Sequence, residues 1–130
     1  MKKRALLAGG LHKARPLANM LIKKGYRVTV INDDYADCLI MAENDSVTVI
    51  NGDGTLPFIL EEANAQDADV AIACTQRDAN NLIICELCKK QFHVKKTIVL
   101  TEDPKETEFF CQKGIDSVVC VTSVIASNID

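Results

Sequence analysis

Tryptophan is absent from these 130 residues, and four phenylalanines and two tyrosines are the whole aromatic complement. A nucleic-acid surface built on base stacking needs more than that, and a basic face besides. No apolar run approaches the roughly 20 residues that span a bilayer, so neither a transmembrane helix nor direct membrane insertion is expected. Three prolines and six glycines leave no linker or low-complexity tract. Acid is missing from one long stretch. Up to Asn32 the chain carries eight bases (Lys2, Lys3, Arg4, Lys13, Arg15, Lys23, Lys24, Arg27) and no carboxylate. From Asp33 onward all 18 acids face the remaining seven bases, so +8 and −11 sum to the net −3. Such asymmetry marks an anion site, a nucleic-acid arm, or solvated helix faces.

The chain has enough apolar residues, 48%, to exclude disorder and to build the core of one domain. Met1-Lys2-Lys3-Arg4 has the charge of a signal n-region, but the apolar stretch Ala5–Leu11 is short and yields to His12, Lys13 and Arg15. No secretory signal is expected. The six cysteines (Cys38, Cys74, Cys85, Cys88, Cys111, Cys120) therefore read as reduced thiols of a cytoplasmic protein. Cys85-x-x-Cys88 sits in a helical pattern without a second ligand pair, which argues for buried small hydrophobes and no metal.

Short aliphatic runs recur at Ala5–Ala8, Val28–Ile31, Val47–Ile50, Val70–Cys74, Thr97–Leu100 and Val118–Val121. The strongest are apolar on consecutive positions, as strands buried on both faces are. Helical patterns lie between them. Leu17, Ala18, Leu21 and Ile22 share one face, and Gly25 closes that helix. Pro16 is expected to delay its start to about Lys13–Ala14. Further helices are expected over Tyr35–Glu43, from Leu56–Pro57 with Ile59, Leu60 and Ala63 inward, over Asp78–Gln91, and from Pro104 to before Gly114 with Phe109 and Phe110 inward. A last one begins at Ser123 with Val124, Ile125 and Ile129 apolar and runs to Asp130, which suggests a piece of a longer chain. Strand and helix alternating six times specify an α/β fold: a doubly wound, six-stranded parallel sheet with helices on both faces.

In such sheets ligands sit beyond the carboxyl ends of the strands. After the first strand comes Ala8-Gly9-Gly10-Leu11-His12-Lys13-Ala14. A Gly-x-Gly-x-x-Gly loop here would cradle pyrophosphate on backbone amides. Counting from Gly9, Leu11 replaces the second glycine and puts a side chain where phosphate would approach. After the second strand, Asn32 takes the place of the acid that holds ribose hydroxyls; it can accept one bond but lacks the charge. Asp33 and Asp34 follow as substitutes or as solvated turn residues, the latter favoured for Asp34. After the third strand, Asp53 stands between Gly52 and Gly54, before Thr55. It can accept an adenine amine or simply close an Asx turn that caps the next helix. After the fourth, Thr75 or Asp78 can act as an N-cap, and Arg77 can meet a phosphate.

Five segments in order carry a resemblance: Val28-Thr-Val-Ile-Asn-Asp-Asp34, Gly52-Asp-Gly-Thr55, Thr75-Gln-Arg-Asp-Ala-Asn-Asn81, Val94-Lys-Lys-Thr-Ile-Val-Leu-Thr-Glu-Asp-Pro104 and Lys113-Gly-Ile-Asp-Ser-Val-Val119. Over essentially its whole length the chain resembles the N-terminal nucleotide-binding domain of the TrkA/RCK group (TrkA-N, KTN), cytosolic regulators of potassium transporters and channels. The resemblance implies a Rossmann-like fold that binds an adenine nucleotide and docks on a membrane ion-translocating subunit. It also implies a homodimer that can close into an octameric ring, and a C-terminal ligand domain beyond this piece. By position, Gly9, Gly10, Leu11, His12, Lys13 and Arg15 would face phosphate, and Asn32 with Asp33 the ribose. Gly52, Asp53, Gly54 and Thr55 would take the adenine end, while Thr75, Arg77 and Asn81 line the crevice. Segment Ser123–Asp130 would begin a helix leading to a partner subunit or to that second domain. Leu11 and Asn32 shift the expected ligand from NAD or NADH towards AMP, ADP or ATP.

Two other readings stand beside it. A ligand-free assembly scaffold keeps the fold and loses the crevice chemistry. The cofactor half of an NAD-dependent oxidoreductase would need a Tyr-x-x-x-Lys pair, yet Leu39 follows Tyr35 and Val30 follows Tyr26 at that spacing. His12 and His93 have no carboxylate partner for acid–base work. No catalytic residue is expected. The +8 stretch then reads as a phosphate site, with His12, Lys13 and Arg15 replacing glycine amides, plus Lys23, Lys24 and Arg27 at the helix end that suits cations.

Overall fold

Arg4–Gly9 turns its side chains alternately into two cores, and that alternation organises the molecule. The computed structural model describes residues 2–129. In chain order the elements are β1 (Arg4–Gly9), α1 (Leu11–Lys23), β2 (Arg27–Asn32), α2 (Tyr35–Met41), β3 (Val47–Asn51) and α3 (Pro57–Glu62). A 3-10 turn at Ala65–Asp67 leads to β4 (Val70–Cys74), α4 (Asp78–Lys90), β5 (Lys96–Thr101), α5 (Pro104–Gln112), β6 (Ser117–Cys120) and α6 (Val121–Ser127). The strands form one parallel sheet, as the sequence pattern implied, and their order is β3-β2-β1-β4-β5-β6. Strand order reverses between β1 and β4.

Leu6 and Ala8 enter one core with Leu60, Ile84, Cys85 and Phe110. Ala5 and Leu7 enter the other with Val28, Val30 and the two alanines of α1, Ala14 and Ala18. Leu7, Val30 and Val99 are wholly buried, and each such side chain contributes about 1.5–3 kcal/mol through apolar burial. Five of the six cysteines are buried and all are free. Burial pushes the Cys85 and Cys88 thiols up, the latter to about 12, so they behave as small hydrophobes. The exception is Cys120: hydroxyls of Ser123 and Thr122 draw its thiol down to about 7.

Three expectations need correction. First, α1 begins at Leu11, two residues earlier than Pro16 was expected to allow. Ala14 N–H already donates to Gly10 O at 2.9 Å, so one bonded turn precedes the proline. Pro16 and the His12 carbonyl it cannot serve lie four residues apart on the exposed face, where the carbonyl is not buried without a partner. Second, only Phe110 faces inward; Phe109 is 45% exposed, with the Lys113 ammonium 5.1 Å from its ring centre. Adjacent helical residues cannot share a face. Third, Val121 is not strand but the first residue of α6, because the last rung of the sheet pairs Thr101 with Cys120 and leaves Val121 no neighbour. That helix, expected over Ser123–Asp130, begins two residues earlier and ends at Ser127, with Asn128 as its C-cap; Asp130 itself lies outside the described residues.

Candidate functional site

Four turns gather at the carboxyl ends of the strands around a cleft of about 300 Å³, where the strand order reverses. Gly9 and Gly10 supply one wall, Asn32 and Asp33 a second, Gly52–Thr55 a third, and Thr75 with Arg77 the fourth. Ten of the fifteen residues expected at a ligand therefore line one cavity.

The β1–α1 turn is tight on one side and open on the other. A Cβ on Gly9 would collide with the Cys74 sulfur and stand 3.0 Å from the Cys74 carbonyl, so glycine lets β1 and β4 run side by side. A Cβ on Gly10 would meet nothing within 4 Å. Gly10 is the N-cap of α1; Lys13 N–H donates back to Gly10 O at 3.3 Å, while the N–H groups of Leu11 and His12 lie too early in the helix for an intrahelical acceptor. Leu11 does not obstruct this approach, because its side chain packs against the Ala14–Ala18–Val30 core. His12 and Lys13 turn towards β4 and β5, and Arg15 towards α2. The three cations expected to replace glycine amides thus stand outside the cleft, on other faces of α1. Lys13 is 4.0 Å from Glu102.

Asn32 is 5% exposed, and both ends of its amide are hydrogen-bonded. Its Nδ2 donates to Gly9 O at 2.9 Å, and its Oδ1 accepts from Asp34 N at 2.7 Å. Its own carbonyl accepts from Gly52 N at 2.9 Å and Asn51 Nδ2 at 3.1 Å. One residue therefore ties the first three turns together, the first two through its side chain and the third through its backbone carbonyl. Asp34 caps α2 by accepting from Asp37 N at 3.0 Å, which is the turn role favoured for it, and its residue still reaches the cleft wall.

Gly52 and Gly54 press onto the cleft floor: a Cβ on Gly52 would lie 2.7 Å from Ile59 Cδ1, and one on Gly54 3.3 Å from Ile84 Cδ1. The loop thereby lifts Asp53 into solvent at the rim. Its Oδ1 accepts from Thr55 N at 2.9 Å and Thr55 Oγ1 at 2.7 Å, an Asx turn. It does not cap α3, whose N-cap is Leu56. Its Oδ2 takes no bond from the described residues.

Asn81 lies behind the cleft wall, 1% exposed. It accepts from Thr75 N at 2.8 Å and donates to Thr75 O at 3.1 Å and Leu100 O at 3.0 Å. It is a strut, not a lining residue. Asp78 serves as no cap either, since α4 is capped at Arg77; its carboxylate instead accepts from Thr101 Oγ1 at 2.7 Å and Glu102 N at 3.2 Å.

Asp37 and Asn80 line the cleft although the loop-by-loop reading passed over them. Both sit within the first turn of the helix after a loop, so carrying each loop one turn into its helix would have found them. The rim is acidic: Asp33, Asp34, Asp37 and Asp53 face a single guanidinium, Arg77. Neither histidine lines it.

A doubly wound sheet with a glycine turn, a strand-end amide and an acidic loop around its switch point is the architecture of nucleotide-binding α/β domains. The TrkA-N domain family model matches residues 5–121, and the chain belongs to that family. A relative, the Trk system potassium uptake protein TrkA homolog of Methanothermobacter thermautotrophicus, is 37% identical over 114 residues, 88% of this chain and 52% of the relative. The chain spans between 18% and 52% of the length of such curated relatives. Among solved structures, the TrkA-N domain of the Escherichia coli inner membrane protein ybaL has a TM-score of 0.89 at 18% identity, covering 99% of this chain and 95% of that one. The GsuK channel bound to NAD gives 0.82 at 22% identity, covering 96% of this chain and 22% of that one. GsuK bound to ADP gives 0.81 at the same identity, covering 95% and 32%.

Proposed function

We propose that this chain is the nucleotide-sensing domain of a potassium transport system. It would lie on the cytoplasmic side and be held at the membrane by an ion-translocating subunit. The observation that carries the reading is the cleft itself: an open Gly10 at the start of α1 faces, across the sheet's switch point, a carboxylate lifted between two glycines. Phosphate would meet the amides at the start of α1 and the Arg77 guanidinium. The ribose would lie by Asn32 and Asp33, and the free Oδ2 of Asp53 would accept the exocyclic amine of adenine. Gly52, Gly54, Thr55 and Thr75 would shape the walls.

A cleft of about 300 Å³ stands at the small end of ligand sites and favours a mononucleotide, AMP, ADP or ATP, over the full length of NAD. That the GsuK structures hold NAD in one case and ADP in another supports a shared adenine end with a variable far end. Four aspartates are the titratable acid–base groups of the cleft, and Asp34 and Asp53 already close turns, which favours binding over catalysis. Homodimers, assembled into a ring, would carry the signal: a nucleotide that binds one ring geometry more tightly shifts the population towards it. A C-terminal ligand domain would follow α6 in the longer protein.

Thermal unfolding of the chain with millimolar AMP, ADP, ATP, NAD and NADH tests this reading. Adenine mononucleotides should raise the midpoint by mass action on the folded state. A midpoint unmoved by all five would leave an assembly scaffold and contradict the proposal.

A further inference from the structure

The sheet edge opposite the cleft concentrates positive charge. The parallel register sets Arg4 directly beside Arg27, both exposed. Their backbones are fixed by ladder contacts: Arg27 N donates to Lys3 O, and Asp69 N to Arg4 O, each at 2.8 Å. Like charges in register cost stability, so the fold itself gains nothing from this pair. Lys2 and Lys3 precede them on the same edge, and α1 ends there with Lys23 and Lys24, all exposed. Lys2, Lys3 and Lys24 share a shallow hollow with Tyr26, while Arg4 and Arg27 border another beside Asn64.

Among the described residues none of these six cations enters an ion pair; the three pairs present use Lys13, Lys89 and Lys90. Asp69, on the same edge, spends Oδ2 on the backbone N–H of Arg4 at 2.8 Å. The helix dipole accounts for Lys23 and Lys24. It does not account for Lys2, Lys3 or the Arg4–Arg27 pair.

We propose that this edge docks on an anionic phospholipid surface, taking headgroup phosphates on the two arginines and the lysines around them. The cations are spread over two shallow hollows rather than closed around one point, which matches a plane of many phosphates better than a single small anion. Guanidinium forks suit phosphate oxygens, and lysines add flexible point charges. Nucleic acid fits less well, because one half-buried tyrosine is the aromatic on this edge. The inference rests on the reading that the domain works beside a membrane subunit. Orientation would follow from it, with the cleft turned away from the bilayer.

Co-sedimentation of the chain with phosphatidylglycerol-rich vesicles, against pure phosphatidylcholine vesicles, tests it at low and at high salt without nucleotide. Binding is expected to the anionic vesicles alone and to fade as salt screens it. A twofold variant, Lys2→Glu and Lys3→Glu, changes only exposed side chains that lie outside α1 and should weaken it at least about tenfold, with an unchanged unfolding midpoint as the control for folding. No sedimentation with anionic vesicles, equal binding to neutral ones, or a variant that binds as before would overturn the proposal. So would capture of an RNA oligonucleotide with vesicles left unbound. A chain blind to vesicles but stabilised by ADP sinks only this inference. One that binds vesicles but no nucleotide sinks only the functional reading.

Discussion

The Asn32 side chain donates from Nδ2 to the Gly9 carbonyl at 2.9 Å, joining the end of β2 to the turn at which α1 begins. From the sequence alone, an aspartate here looks like a gain, since it would restore the usual ribose acceptor. The hydrogen bond reverses that expectation. Asn32→Asp removes the donor and sets a carboxylate oxygen against a carbonyl oxygen in a position that is 5% exposed. The variant should lose about 1–3 kcal/mol of stability, read as a lower midpoint in denaturant or thermal unfolding, and should gain no affinity for NAD. A stable variant that binds NAD more tightly would show that Asn32 faces ligand and not Gly9.

The two glycines of the first turn should separate stability from binding. Gly9→Ala drives a methyl group into Cys74 and should cost about 1–3 kcal/mol by overpacking. Gly10→Ala meets nothing within 4 Å, and the residue's φ of −75° suits any side chain. Its unfolding midpoint should stay within about 0.5 kcal/mol of the parent, while its methyl group narrows the phosphate approach and lowers nucleotide affinity. Paired unfolding and titration curves check both halves.

The parallel sheet with helices on both faces was legible in the sequence because consecutive aliphatic residues admit few arrangements other than a two-faced parallel sheet. Gly52–Thr55 was legible as a turn for a similar reason, since glycines on both sides of Asp53 leave it little to do but turn. Side-chain direction on α1 was not legible. His12, Lys13 and Arg15 are adjacent in sequence to the phosphate turn, but a helix beginning at Leu11 turns about 100° per residue, and none of the three faces the cleft. Asn32 and Asn81 were visible as polar residues in the right segments. Their bonds to Gly9 and Leu100 link positions 23 and 19 residues apart, which no local pattern encodes.

Away from the cleft, Asp116 ties the start of β5 to the last turn of α4. It accepts from Lys89 Nζ and from Thr97 N, each at 2.8 Å. The Lys89 contact, the largest cause, holds its carboxyl below the ordinary value of 3.8; burial opposes it, and the two Thr97 bonds add to the lowering. A group whose folded value is depressed stabilises the fold above its unfolded value and loses that contribution as pH falls through the folded one. Asp116→Asn should therefore cost about 1 kcal/mol at neutral pH, discounted for exposure. It should also flatten the acid limb of the stability curve below pH 3.8, measured by urea unfolding across pH. An acid limb identical to the parent's would show that the contact contributes nothing.

Calorimetric titration of ADP, and of IDP, into the parent chain and into Asp53→Asn tests the adenine assignment most directly. The asparagine can keep Oδ1 for the Thr55 turn while replacing the free Oδ2 acceptor with a donor. The account predicts saturable ADP binding to the parent, preferred over the amine-lacking inosine nucleotide. In the variant ADP should bind about tenfold or more weaker with an unchanged unfolding midpoint. ADP and IDP binding alike to the parent, or ADP binding equally to both proteins, would contradict it.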